Sequence, residues 1–253
     1  MKKPVLYLLI ILLAFCSCSN KDDSNKVIEE GCNYQPTGWD YPVKGEEFYA
    51  MGVLERTAII QVPEGVLDTL SPEDAVRLFI TCPDCANVIG LTLVQAFDIM
   101  PYRCNILRHL LSRDDVGGLL IAAYNDLDFD IQGFKTLPYC LEQNEYISAY
   151  WILLQWFQVL LSEKEILQNM THDERLELII EARSKAGVYT RSIMVNILYV
   201  EEYPEFMASP KREGIIAFVN GEWWKWVEFD YSNELPYDEI NQMVDNFIND
   251  NKK

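Results

Sequence analysis

The chain repeats one kind of helix start three times, and this repeat restricts the fold more than any other feature. In each copy a Ser or Thr follows an apolar residue and precedes acids two and three positions later: Ser71, Ser112 and Thr171. A hydroxyl at that place accepts the backbone N–H bonds that the first turn of a helix leaves without partners. Seven to nine residues later, each copy has three consecutive apolar residues. We therefore predict that the chain packs the same type of capped amphipathic helix three times.

The segments before the caps indicate how these helices are joined. Val66 and Leu67 precede the first cap, and Ile166 and Leu167 precede the third, so helix-corner-helix units recur. The caps are 41 and 59 residues apart, and these spacings do not share one solenoid period. We predict a mainly α fold, an irregular stack of helical hairpins, with a HEAT-like solenoid as the alternative.

The segment 146–161 (YISAYWILLQWFQVLL) is apolar on most of its helical circumference. Such a helix must be covered on all sides, so we place it at the centre of the helical domain. Its aromatic residues are then core residues rather than a ligand box: Tyr150, Trp151, Trp156 and Phe157.

The periodicity changes after Pro210. The runs GIIAFV and EWWKWV flank Asn220-Gly221, and Asn-Gly between two β-prone runs predicts a two-residue hairpin turn. Alternation puts Trp224 and Trp226 on one face, which packs on the helices or, alternatively, forms a platform for sugar rings. An amphipathic helix is predicted for 236–250. We expect residues 31–209 to form a helical domain and residues 210–253 to form a Trp-rich hairpin and a helix packed on it.

The first seventeen residues are predicted to be a signal peptide. Lys2 and Lys3 precede an apolar run of 11 residues that ends at Phe15, and small residues follow. The run is too short for a spanning helix, which needs about 20 residues. The stretch FCSC resembles a bacterial lipobox in which Cys18 is lipidated and becomes the first residue. The alternatives are cleavage before Cys16, which puts the bulky Phe15 at the cleavage site, and an ordinary signal peptide.

Residues 18–30 form a polar, charged segment without aromatics, which predicts a flexible tether. Without the signal peptide the chain keeps 19 basic and 39 acidic side chains, a formal charge of −20. No window has the clustered Lys and Arg that a phosphate backbone requires, so we expect no nucleic-acid partner. Repulsion from an anionic envelope leaves the lipid as the attachment to the membrane.

The mature chain has five cysteines besides Cys18: Cys32, Cys82, Cys85, Cys104 and Cys140. In an oxidising compartment these predict one or two disulfides, with at least one thiol left over. Cys82-Pro83-Asp84-Cys85 has redox CxxC spacing, but a helix is predicted to end at Cys82. A thioredoxin-like site needs a helix that begins at the first cysteine, so we expect no redox site.

The sequence contains no recognised catalytic motif. It has two histidines, His109 and His172, and no GxSxG, HExxH or Walker-type loop. A second cysteine pair for zinc is missing. Neighbouring acids such as Glu201 and Glu202 are expected on a surface this acidic and need geometry before they suggest a glycosidase. We therefore expect no catalytic residue, no metal site and no cofactor.

Several long segments resemble a family of uncharacterised helical lipoproteins of Bacteroides and related bacteria. The similarity covers roughly residues 40–200, and examples are QVPEGVLDTLSPEDAVRLFITCP and WFQVLLSEKEILQNMTHDERLELIIEARSKAGVY. CSNKDD resembles the start of such lipoproteins, in which acids after the lipidated cysteine accompany export to the outer face of the outer membrane. Asp68-Thr69-Leu70 resembles their acceptor motif for O-glycosylation, which implies modification of Thr69.

Together these features predict a non-enzymatic, lipid-anchored binding or scaffold protein displayed on the surface of the outer membrane. Its expected partners are the membrane, through the lipid, and an envelope protein or a glycan. The alternative is an envelope enzyme or glycan-binding protein that acts on polysaccharide or peptide. A groove lined by carboxylates and by Trp224 or Trp226 would favour that alternative.

Overall fold

Helices make up most of the chain that the structure describes, as the sequence predicts. The structure is a computed structural model, and it describes residues 38–84, 100–130, 133–137, 141, 150–185, 189–220 and 236–252. Within these ranges there are thirteen α-helices and one short two-stranded sheet. In chain order they are α1 Gly45–Ala50, α2 Val53–Ile59, α3 Glu64–Leu67, α4 Pro72–Ile80, α5 Asn105–Leu111, α6 Val116–Asp126, β1 Asp128–Asp130, β2 Gly133–Thr136, α7 Tyr150–Leu160, α8 Lys164–Asn169, α9 His172–Ser184, α10 Thr190–Val200, α11 Pro204–Ala208, α12 Arg212–Val219 and α13 Tyr237–Asn251.

Helix α10 lies at the centre of the helical body. It packs against α7, α8, α9, α11, α12 and α13, and the residues from Ser192 to Leu198 are all buried. Five β-branched residues in this helix lower its intrinsic helix propensity, so its stability comes from packing. The helix ends at Val200, and Glu202, two residues later, has a φ of 49°. Tyr203 N–H then bonds Leu198 O at 3.0 Å and Glu202 N–H bonds Tyr199 O at 3.1 Å, which is a Schellman motif.

The predicted apolar helix is present as α7 and supplies aromatic core residues. Trp156 and Phe157 are 1% and 0% exposed. Trp156 meets Phe79 of α4 edge to face with ring centroids 6.3 Å apart, and Phe157 lies 6.5 Å from Tyr124 of α6. Helix α7 thus contacts α4 and α6 through aromatic rings and α10 through its other side.

The segment just before α1 lies against α4. Trp39 and Tyr41 contact each other edge to face at 5.0 Å, and Tyr41 is buried. The guanidinium of Arg77 donates to Trp39 O at 2.9 Å. Arg77 also lies 3.7 Å from the carboxylate of Asp74, which is almost fully buried. The Arg77 side chain of α4 therefore holds the segment before α1 against the helical body.

A glycine allows a close approach between α6 and the end of α8. A Cβ on Gly117 would lie 2.7 Å from Cγ of Met170, far inside van der Waals contact. Met170 is itself buried and follows α8 directly. A side chain at position 117 would push these two segments apart.

The prediction of a strand at 214–219 is wrong, because these residues form most of α12. Ile215 and Val219 are one helical turn apart and both are buried on the side that contacts α10. The hydroxyl of Ser192 in α10 donates to Val219 O at 2.6 Å. Tertiary contacts thus override the β propensity of Ile and Val. The second predicted strand, with Trp224 and Trp226, lies outside the described residues.

A β-hairpin occurs at another place in the chain. Strands β1 and β2 pair antiparallel, with Phe129 opposite Phe134 and an irregularity between Asp128 and Phe129. The C-terminal helix α13 buries its apolar face against α9 and α10. That face consists of Ile240, Met243, Val244, Phe247 and Ile248.

Two of the three cap residues stand at helix starts. Ser71 Oγ accepts a bond from Asp74 N–H at 3.1 Å at the start of α4. Thr171 and Glu174 form a full capping box at the start of α9. The third assignment is wrong: Ser112 ends α5, and α6 begins only at Val116 after a turn, with no side-chain cap. The Ser112 hydroxyl donates instead to His109 O at 2.7 Å.

Replacing the two capping residues should destabilise the fold, whereas replacing Ser112 should not. Ser71→Ala and Thr171→Ala each leave first-turn N–H groups without an acceptor and should cost about 0.5 to 2 kcal/mol. Ser112→Ala, the matched control, removes only an exposed bond within one turn and should change stability by less than about 0.5 kcal/mol. Urea unfolding measures all three, and an equal effect in all three would contradict the assignment.

Candidate functional site

A cavity of about 480 Å³ lies where the carboxyl ends of α6 and α9 approach α7. Its floor is apolar, with the buried Leu127 and Leu154, and its walls are polar. The polar lining residues are Asn125, Asp128, Glu181, Ser184 and Lys185. A concave site with an apolar floor and a few polar groups is the usual form of a small-ligand pocket.

Among the described residues that line this cavity, Lys185 is the one cation, and its ammonium group is fully engaged. It donates to Tyr124 O and to Leu127 O, both at 2.6 Å. The Glu181 carboxylate lies 3.0 Å away. Helix α6 has no basic residue in its own last turn, so Lys185, which directly follows α9, supplies the positive charge at its negative end. An ammonium has three N–H donors, and these acceptors use all of them.

The other described polar side chains of the cavity offer mainly oxygen acceptors, because the donors of Asn125 and Ser184 already bond within the protein. The Asn125 amide donates to Glu177 Oε1 at 2.6 Å, and its own buried oxygen has no partner among the described residues. Asp128 and Ser184 are exposed at the rim. A ligand with hydroxyl or amine donors would therefore match the walls, whereas an anion would meet the carboxylates of Asp128 and Glu181.

Tyr124 lies beneath the cavity and is not suited to proton transfer near neutral pH. Its ring is fully buried, and Lys185 Nζ lies 4.7 Å from the ring centroid. Burial raises the pKa of Tyr124 well above its ordinary value of 10.0. Gln158 Nε2 lies 3.5 Å from the hydroxyl oxygen and lowers the pKa, but burial has the larger effect, so the phenol stays protonated near neutral pH.

A second polar cluster joins three helix ends. Arg175 of α9 donates to Leu167 O at 2.8 Å and to Met170 O at the end of α8, and it pairs with Glu201 after α10. His172 Nδ1 lies 2.9 Å from the same Glu201 carboxylate. The cluster contains a His–carboxylate pair, but Arg175 connects it to helix carbonyls, which gives it a structural role.

The other histidine, His109 of α5, is half-buried. Burial, and then the neighbouring positive charge of Arg113, lower the pKa of His109 below 6.5, and Asp68 opposes this shift. The imidazole is therefore neutral in the folded protein over a wider pH range than in an unfolded chain.

The predicted site residues are spread over the molecule. Thr69 is exposed between α3 and α4, and its hydroxyl donates to Val66 O at 3.0 Å. Cys82 and Cys104 are buried, with their Sγ atoms 3.5 Å apart. The others lie outside the described residues: Cys18, Cys32, Cys85, Cys140, Trp224 and Trp226.

Sequence reasoning did not find the cavity or Lys185. The partners of Lys185 lie 58 and 61 residues earlier in the chain, and no local pattern marks such a contact. In the part of the chain that the structure describes, no three His, Cys, Asp or Glu side chains come together as a metal site.

Replacing Lys185 should destabilise the protein. Lys185→Met leaves two carbonyls at the end of α6 without a charged donor and should cost about 1 to 3 kcal/mol. Lys211→Met is the matched control, because Lys211 makes a surface pair with Glu239, and it should cost less than about 1 kcal/mol. Denaturant unfolding measures both, and equal costs would argue against a structural role for Lys185.

His109 should make stability depend on pH. The unfolded chain takes up a proton near pH 6.5 more readily than the folded protein does, so unfolding becomes easier as the pH falls through 6.5. His109→Gln should remove this component, which unfolding midpoints above and below that pH would show as a difference from wild type. NMR titration should place the pKa of His109 below 6.5, with the variant identifying the resonance. A wild-type pKa above 6.5 would contradict the assignment.

No family model, no curated protein and no solved structure matches this chain. The resemblance to helical lipoproteins of Bacteroides-type bacteria therefore stays a prediction from the sequence. None of the helices in the described ranges combines the length and the apolar character needed to cross a membrane.

Proposed function

We propose that the chain is a lipid-anchored cell-envelope protein, displayed on the surface of the outer membrane, that acts as a non-enzymatic binding or scaffold module. The observation that carries this proposal is the N-terminal sequence. Lys2 and Lys3, an apolar run of 11 residues and the small residues around Cys18 form the order of a lipoprotein signal. A lipid on Cys18 would anchor a chain whose apolar run is too short to span a bilayer.

The segment 18–30 would hold the helical body away from the membrane. The sequence predicts that these 13 residues form a tether, and they lie outside the described residues. The mature charge of −20 opposes contact with an anionic surface, so the lipid and not a basic patch would attach the protein. The body would then be free to meet partners outside the membrane.

The helical body supports a role in binding through its surface. Its buried apolar residues form one cluster that extends from Tyr41 to Ile248. We include the irregular stack of helical hairpins in this proposal. An acidic surface favours association with a partner that presents basic groups, and the acceptor-rich cavity at Lys185 favours hydroxyl or amine donors. An envelope protein or a glycan would meet one of these requirements.

The anchoring site can be tested with a matched pair of cysteine variants. Cys18→Ala should abolish incorporation of a palmitate analogue, because it removes the thiol that carries lipid, and should release the exported protein from the membrane fraction. Cys16→Ala should keep both the label and the membrane association. Labelling followed by fractionation measures both variants.

Display on the outer face can be tested by protease digestion of intact cells. Proteinase added outside should degrade the wild-type body while a periplasmic marker stays intact. Persistent palmitate labelling of Cys18→Ala would overturn the anchoring site, and a protected body in intact cells would overturn surface display.

A further inference from the structure

Two buried cysteine side chains meet where α4 ends and α5 begins. Cys82 follows Thr81, the last residue associated with α4, and Cys104 is the N-cap residue of α5. They are 1% and 0% exposed. Their Sγ atoms are 3.5 Å apart, which is van der Waals contact between sulfur atoms separated by 22 positions in the sequence.

The surrounding contacts hold the two segments together. The guanidinium of Arg103 pairs with the buried Asp84 carboxylate at 2.7 Å, so each cysteine lies within two residues of one end of this ion pair. Gln61 donates to Arg103 O at 2.7 Å and connects the same place to α2. A disulfide has an S–S length of about 2.0 Å, so bonding requires the sulfur atoms to approach by about 1.5 Å.

We propose that Cys82 and Cys104 form a structural disulfide in the exported protein. This inference rests on the proposed envelope location, because exported compartments keep disulfides whereas the cytosol reduces them. The two thiols together lose two protons and two electrons. The electron acceptor is the disulfide of a thiol oxidant, which accepts both electrons and leaves as two thiols. One cysteine thiolate first forms a mixed disulfide with the oxidant, and the second cysteine displaces the oxidant's thiolate.

Burial determines when this bond forms. Side chains that are 1% and 0% exposed cannot meet a protein oxidant in the native state. The oxidant therefore reaches them during folding, before α4 and α5 pack together. The folded core then shields the bond from reductants, which gives it a structural rather than a switching role. The bond closes the loop between α4 and α5 and restricts the unfolded chain.

A peptide map distinguishes this pairing from a bond between the neighbouring Cys82 and Cys85. The protein is taken both from the cell envelope and from refolding in a glutathione redox mixture, and is alkylated in denaturant before reduction. Trypsin cleaves after Arg77 and Arg103, and a protease that cleaves before aspartate separates Cys82 from Cys85 at Asp84. We expect one cross-linked species that contains Cys82 and Cys104, and alkylation of these two only after reduction.

Melting temperatures of the wild type and of cysteine variants test whether the Cys82–Cys104 bond stabilises the protein. Reduction in denaturant followed by refolding should lower the melting temperature of wild type by roughly 5 to 15 °C. Cys82→Ala/Cys104→Ala should lose the part of this shift that the Cys82–Cys104 bond causes, whereas the control Cys85→Ala should keep both the cross-link and the shift. If the double variant does not fold, the maps of wild type and Cys85→Ala still decide the pairing.

A bond between Cys82 and Cys85 would overturn the inference. Alkylation of both Cys82 and Cys104 without reduction would also overturn it, whether it is seen in refolded protein or in protein from the envelope. Palmitate labelling at Cys18 is read separately. Loss of the anchor and loss of the disulfide are therefore distinguishable.

Discussion

The burial of α10 on every side is the constraint on which the rest of the structure depends. Six helices pack around it and bury every residue from Ser192 to Leu198, so the polar side chains in this stretch need partners inside the protein. Ser192 donates to Val219 O at 2.6 Å, and Asn196 donates to Ser162 O at 2.8 Å. Apolar contacts alone would tolerate small shifts between helices, whereas these bonds have a fixed direction. They set the positions of α12 and of the turn after α7 relative to the centre.

The same device recurs at other helix ends. Lys185 donates to carbonyls at the end of α6, and Arg175 donates to carbonyls at the end of α8. Arg212 donates to Met207 O at the end of α11. The last carbonyls of a helix have no intrahelical partners, and in this protein neighbouring segments supply many of the donors. Lys185, Arg175 and Arg212 are therefore engaged inside the protein.

Sequence reasoning succeeded where one segment determines its own structure. The start of α9 has its whole capping box within Thr171 to Glu174, and Trp156 lies in a run too apolar for any surface position. It failed where contacts with residues far away in the sequence determine the secondary structure. The helix α12 packs on α10 and accepts a bond from Ser192, and α5, which packs against α4, continues to Leu111, so that Ser112 follows its end. The candidate cavity joins Asn125 to Lys185, a pairing that no local pattern could indicate.

Charge and location impose one further condition on this fold. The formal charge of −18 makes the side chains of this protein repel one another, and this repulsion acts against the compact state. Surface ion pairs such as Arg183 with Asp245 offset little of that cost, because water and salt screen them. The cost of charge repulsion is therefore offset mainly by interactions that salt weakens little. These are the apolar packing around α10 and the hydrogen-bond donors at buried helix ends. A covalent bond between α4 and α5 would act in the same way, since it stabilises the folded state through the unfolded chain and not through charge.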